Sequence, residues 1–200
     1  MEILFQDKEI VVCVKPVGVS SEDGEGSLPA LLQQQFGGEI FPLHRLDLNV
    51  GGIMVYARTK NAAARLSKVI QDGSMVKEYR ALVHGTPPES GDWQDLLWKD
   101  SSKNKVFVVK RIRKGVKNAR LEFKRLTAGG ESLVHIRLHT GRSHQIRVQF
   151  ASRGFPLVGD HKYGARDEQD APMLFSCRIT FPYRGEICSF ESYPNWGKAE

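Results

Sequence analysis

A chain of 200 residues with 40% hydrophobic and 26% charged side chains has the balance of a soluble globular protein and is long enough to bury a core as one domain, 1–200. Its apolar runs, such as Val11-Val12-Cys13-Val14, fall far short of the roughly 18 residues a membrane helix needs, and the first eight residues lack the basic start and apolar core of a secretory signal. Three cysteines, Cys13, Cys177 and Cys188, odd in number and without a C-x-x-C pair, fit reduced thiols in a cytoplasmic protein better than a disulfide framework or a zinc site.

The patterning predicts a strand at Ile10–Lys15, ended by the turn Lys15-Pro16-Val17-Gly18. Ser27–Phe36 reads as a short helix closed by Gly37-Gly38. A strand follows at Ile53–Ala57, then a helix capped by Thr59 with Ala62, Leu66, Val69 and Ile70 on one face. Further strands are expected at Lys77–His84, Val106–Ile112, Ala119–Leu126 and Ser132–Leu138. His144–Arg153 reads as a helix with Ser143 as its cap, Met173–Phe181 and Ile187–Ser192 as closing strands, and the tail from about residue 193 as loose. Strands outnumber helices and often follow one another directly. The expected fold class is therefore α+β, with a mixed, largely antiparallel central sheet flanked by helices and loops. No strand leads into G-x-G-x-x-G, so a dinucleotide fold is not indicated.

The net charge of +6 is unevenly placed. Between Lys99 and Arg125 lie 11 basic residues, opposed only by Asp100 and Glu122. Such a stretch, including Lys110, Arg111, Arg113, Lys114 and Lys117, is either a solvated face or the footprint of a phosphate backbone, whose binding releases counterions.

Two segments concentrate chemistry-bearing side chains. In Phe41–Gly52, Asp47 sits in a glycine-rich loop beside His44 and Arg45, where a carboxylate can face a cleft. In Leu138–Arg147, a strand leads through Arg142 and Ser143 into a helix, on which His144 and Arg147 are three apart and share a face. Read alone, Asp47 is equally a turn residue, Arg147 a surface arginine and Tyr79 a core tyrosine on a half-buried strand. The histidines lack H-x-x-x-H or carboxylate–histidine spacing, so no metal is expected.

Taken together, five segments resemble the RluA-type family of pseudouridine synthases. Lys15-Pro16-Val17-Gly18 is similar to its K-P-x-G motif, and His44-Arg45-Leu46-Asp47 followed by Gly52 to its H-R-L-D segment. Lys77-Glu78-Tyr79-Arg80-Ala81-Leu82-Val83-His84-Gly85 resembles its K-x-Y-x-A-x-V-x-G strand. Gly141–Arg147 and Val158–Gly164 resemble its C-terminal motifs, in the family's order.

The resemblance implies the pseudouridine synthase catalytic-domain fold in its minimal form. It also implies an isomerase that converts uridine in rRNA or tRNA to pseudouridine without metal or organic cofactor. Asp47 is then the essential carboxylate, Arg147 the guanidinium that keeps it ionised and oriented, and Tyr79 the tyrosine that stacks on the uracil. Arg45 matches an arginine that fills the space left by the extruded nucleotide. His44, Arg142, His144 and the basic stretch are expected to contact RNA, and a monomer is the expected state. The chain departs from the family at Val50-Gly51-Gly52, where Thr-Ser-Gly is common, and at Leu174–Ile179, which lacks a frequent histidine. A catalytically silent RNA-binding protein on the same fold is the alternative these departures keep open.

Overall fold

A computed structural model describes residues 1–196. In chain order the elements begin with β1 (Glu2–Gln6), β2 (Ile10–Lys15), α1 (Leu28–Phe36), β3 (Phe41–Pro42), β4 (Gly51–Ala57) and α2 (Lys60–Gln71). Then come β5 (Val76–His84), β6 (Ser90–Asp100), β7 (Lys105–Val109), β8 (Val116–Arg125), β9 (Glu131–Leu138) and α3 (Gln145–Ala151). A single 3-10 turn (His161–Tyr163) precedes β10 (Leu174–Tyr183) and β11 (Glu186–Glu191). The fold is α+β with mixed, largely antiparallel pairing, as the patterning predicts. Among the described residues, no helix is long and apolar enough to cross a membrane.

The chain resolves into two compact units, Met1–Lys77 with Phe175–Glu200, and Glu78–Leu174. In the first, the strand order is β1-β2-β4-β10, with β3 also on β4 and β11 on β10. Strand β4 is buried along its whole length, because it pairs antiparallel with β2 and β3 and parallel with β10. Helix α2 lays Ala62 and Leu66 on Ile10, Val12, Ile53, Val55, Ile179 and Phe181. Each large side chain buried there contributes about 1.5–3 kcal/mol. The expected cap at Thr59 forms, its Oγ1 accepting the Ala62 N–H, and Ser27 Oγ likewise accepts the Ala30 N–H, satisfying donors each helix start leaves over.

In the second unit the order is β5-β9-β8-β6-β7, and α3 packs Val148 against Leu97, Val106 and Ala119. Three expectations need correction here. The strand foreseen to Ile112 ends at Val109, where the exposed cations Lys110, Arg111, Arg113 and Lys114 make a turn completed by Gly115 at φ 84°. Helix α3 begins at Gln145 and stops at Ala151. Its cap is not Ser143: His144 holds that place in the left-handed region (φ 49°) without a side-chain cap bond. Strand β6, the longest of the described strands, was not foreseen, because Gly91, Asp92, Gln94 and Asp95 mask its alternation and only Leu97 on it is fully buried. At the start of the tail expected to be loose, the Tyr193 hydroxyl donates to Glu191 at 2.9 Å; residues 197–200 lie outside those described.

Candidate active site

Asp47 lies half-buried in the segment between β3 and β4. Its neighbours on both sides are tied to the N-terminal part of the chain. Before it, Ser21 Oγ donates to the Leu46 carbonyl at 2.9 Å and accepts the Leu46 N–H at 3.1 Å. The Ser21 carbonyl in turn accepts from the Tyr56 hydroxyl of β4 at 3.0 Å. After it, the Leu48 carbonyl accepts from Lys15 Nζ at 3.1 Å and from the Gly18 N–H at 2.9 Å. The Asp47 carbonyl closes the turn by accepting the Val50 N–H. The peptide that presents the carboxylate is held from two directions.

Lys15 is fully buried, and its ammonium also donates to the Pro16 and Val19 carbonyls at 3.0 and 2.8 Å. Three carbonyls match its three donors. Burial lowers its pKa to about 8, against which the Asp47 charge pulls upward. The K-P-x-G motif contains Lys15 without indicating this task, and no motif in the sequence points to Ser21 or Tyr56. Gly52 is required sterically: at φ 124° a Cβ would lie 2.4 Å from the Ser176 nitrogen, where β4 and β10 run parallel.

His44 and Arg45 part company. The His44 ring accepts the Val55 N–H at Nε2, its Nδ1 is buried without a hydrogen-bond partner among the described residues, and burial followed by the Lys77 charge lowers its pKa to about 3. It is a neutral acceptor for β4 rather than a cation. Arg45 is exposed and forms an ion pair with Glu22 at 3.2 Å.

In the second unit Arg147 is 8% exposed and Asp160 1%. Their pairing is bidentate, Nε to Oδ2 at 2.7 Å and Nη2 to Oδ1 at 2.8 Å. Sequence reading did not foresee this carboxylate. The guanidinium also lies 5.2 Å from the centre of the Tyr163 ring. The Tyr163 hydroxyl accepts the Val106 N–H at 2.8 Å and bonds His144 Nδ1 at 2.9 Å. His144 and Arg147 therefore do meet a common neighbour, although His144 is not helical. Gly159 permits this arrangement, since a Cβ there would fall 2.0 Å from the Ala171 carbonyl oxygen. The Val158–Gly164 motif was the only signal that could have pointed to Asp160 and Tyr163. Tyr79 is buried on β5, 6% exposed.

Glu78–Leu174 holds eighteen basic residues against eleven acidic ones, and the structure sorts them. Arg120 is neutralised by Asp92 at 2.8 Å and Glu122 at 3.1 Å. Arg113 lies 4.5 Å from the centre of the Trp98 ring. Lys110, Arg111 and Lys114 are exposed on the β7–β8 turn. Lys117 and Arg142 line one recess. Among the described residues, no group of three or more His, Cys, Asp or Glu side chains converges as metal ligands do.

A family model described as RNA pseudouridylate synthase matches residues 9–152. An uncharacterized RNA pseudouridine synthase of Bacillus subtilis (strain 168), YhcT, is 33% identical over 177 residues, 82% of this chain and 58% of that protein. The ribosomal large subunit pseudouridine synthase D of Zymomonas mobilis is 33% identical over 190 residues, 88% of this chain and 60% of its own length. The chain thus spans under two thirds of the length of these two relatives. Human RNA pseudouridylate synthase domain containing 4 superposes with a TM-score of 0.81 at 24% identity, covering 98% of this chain and 89% of its own, a likeness of fold.

Proposed function

Because the chain belongs to the RNA pseudouridine synthase family, we propose that it isomerises uridine in RNA to pseudouridine, with Asp47 as the catalytic carboxylate. The carboxylate attacks the target nucleotide, the N1–C1′ bond breaks, the uracil turns, and its C5 is joined to C1′ as the bond to the carboxylate is broken and Asp47 is released. The proton lost from C5 is balanced by the one gained at N1, so nothing is added or removed. Tyr79 stacks on the uracil, Arg147 supports the reaction as a fixed cation, and Arg45 fills the place of the extruded nucleotide. Ribosomal or transfer RNA is the substrate class.

One observation supports this reading above the others: the peptide carrying Asp47 is clamped at Leu46 by Ser21 and at Leu48 by Lys15 and Gly18. A nucleophile works from a fixed position, whereas a carboxylate that only solvates a turn needs no such bracing. The test is Asp47→Ala and Asp47→Asn, assayed by chemical mapping of pseudouridine in RNA from cells lacking the protein. Both variants should melt with the wild type yet form no pseudouridine. Conversion by either one at the wild-type rate refutes the assignment.

A further inference from the structure

The Glu78–Leu174 unit contains a recess of about 170 Å³ whose walls come from β6, β7, β8 and the turn before α3. Its floor is apolar: Leu97 and Val106 line it, each 3% exposed. Lys99, Lys117 and Arg142 also line it, Ser143 adds a hydroxyl, and no carboxylate is present.

Strand register accounts for the convergence. Leu97 pairs with Lys117 across β6 and β8, and Lys99 with Val106 across β6 and β7. Lys99 and Lys117 therefore share a face as diagonal neighbours, about 7–8 Å apart. Arg142 arrives from a different part of the chain, and its Nε donates to the Asn118 carbonyl at 2.9 Å. That bond fixes the side chain and leaves its terminal nitrogens as the remaining donors. Among the described residues neither lysine has a carboxylate in ion-pair reach, unlike Arg120.

Three like charges gathered round one hollow repel one another, and an anion there reverses the sign of that interaction. Two ammonium groups, a planar guanidinium and a hydroxyl match the several oxygens of a phosphate. The apolar floor gives a sugar a surface to lie on. Resting on the RNA reading above, we propose that this recess holds one backbone phosphodiester of the bound RNA, with the adjoining ribose over Leu97 and Val106.

The claim of a single shared phosphate has its own signature. Affinity for a labelled oligouridylate is measured against salt for the full chain, Lys99→Ala, Lys117→Ala, the double variant, and Lys60→Ala as a charge control on α2. Each single variant should weaken binding about tenfold and flatten the log–log salt slope by about 0.7, the loss of one phosphate of a single strand. The double variant should flatten it no further, while Lys60→Ala follows the wild type. Slopes that fall additively, by about 1.4 in the double variant, overturn the shared site in favour of a general cationic surface. Wild-type RNA binding by both single variants, with inorganic phosphate alone shifting the Gly141 and Ser143 amide resonances, overturns it in favour of a small-anion site. Pseudouridine mapping keeps the two readings apart. Turnover by the wild type with no effect of these variants on binding sinks the recess alone. Recess-dependent binding without any isomerisation sinks the proposed reaction alone.

Discussion

Removing the Asp160 carboxylate takes away one side of the bidentate ion pair that holds the buried Arg147 guanidinium. The pair is made through two bonds, at 2.7 and 2.8 Å, between groups that are 1% and 8% exposed. Breaking a buried pair from one side costs about 3–5 kcal/mol, because the surviving charge stays desolvated. For a chain of this size about 1 kcal/mol corresponds to about 2–4 °C, so Asp160→Ala should melt about 6–20 °C below the wild type. Asp160→Asn keeps one acceptor and should lose less. The backbone bonds of Asp160 to Tyr163 and Ala165 survive both changes, so the loss reports on the side chain. Urea unfolding of Asp160→Ala, Arg147→Ala and the double variant completes a cycle, in which the coupling should exceed about 1 kcal/mol. Single-turnover pseudouridine formation on a saturating RNA should also slow in Asp160→Asn, with affinity for the RNA little changed, if the pair orients Arg147 for the reaction. A melting loss under about 1 kcal/mol, or coupling near zero, would refute the reasoning.

Two further perturbations follow from the geometry of the first unit. His44 is held neutral when folded, with a pKa of about 3 against about 6.5 when unfolded. The unfolded chain therefore takes up the proton first as pH falls, and stability is lost progressively below pH 6.5. By pH 5 this group alone costs about 2 kcal/mol. His44→Gln, whose amide oxygen can accept the Val55 N–H, should remove that part of the acid sensitivity in urea titrations at pH 7.5 and 5; an unchanged difference between the two pH values counts against it. Gly52→Ala places a methyl 2.4 Å from the Ser176 backbone at a positive φ, and should destabilise the protein by at least about 2 kcal/mol. Its urea midpoint checks this, and a midpoint equal to the wild type's would mean that β4 and β10 separate freely there.

Elements governed by neighbours in sequence were legible before any coordinates. Helices α1 and α2 begin at Ser27 and Thr59 because each hydroxyl accepts an N–H three residues on, a bond whose partners the sequence places side by side. Strand β2 runs over Ile10–Lys15 as patterned, since a short run rich in β-branched residues and bounded by a Pro-Gly turn favours a strand. The order of five motifs was enough to indicate the family. Strand β6 escaped notice because its stability lies in pairing with β7 and β8, and its own residues are half polar.

The sequence by itself determined which residue types stand where, and through local rules the helices, most strands and the loop that carries Asp47. Only tertiary structure decided that Lys15 reaches Leu48 across 33 positions, that Ser21 grips Leu46 across 25, and that Arg147 meets Asp160 rather than open solvent. The same is true of the basic stretch, where strand register turned a run of charge into a recess shared by Lys99, Lys117 and Arg142. Hydrogen bonds and ion pairs act over about 3 Å, and which distant groups come that close is settled by how the strands pair and the helices pack.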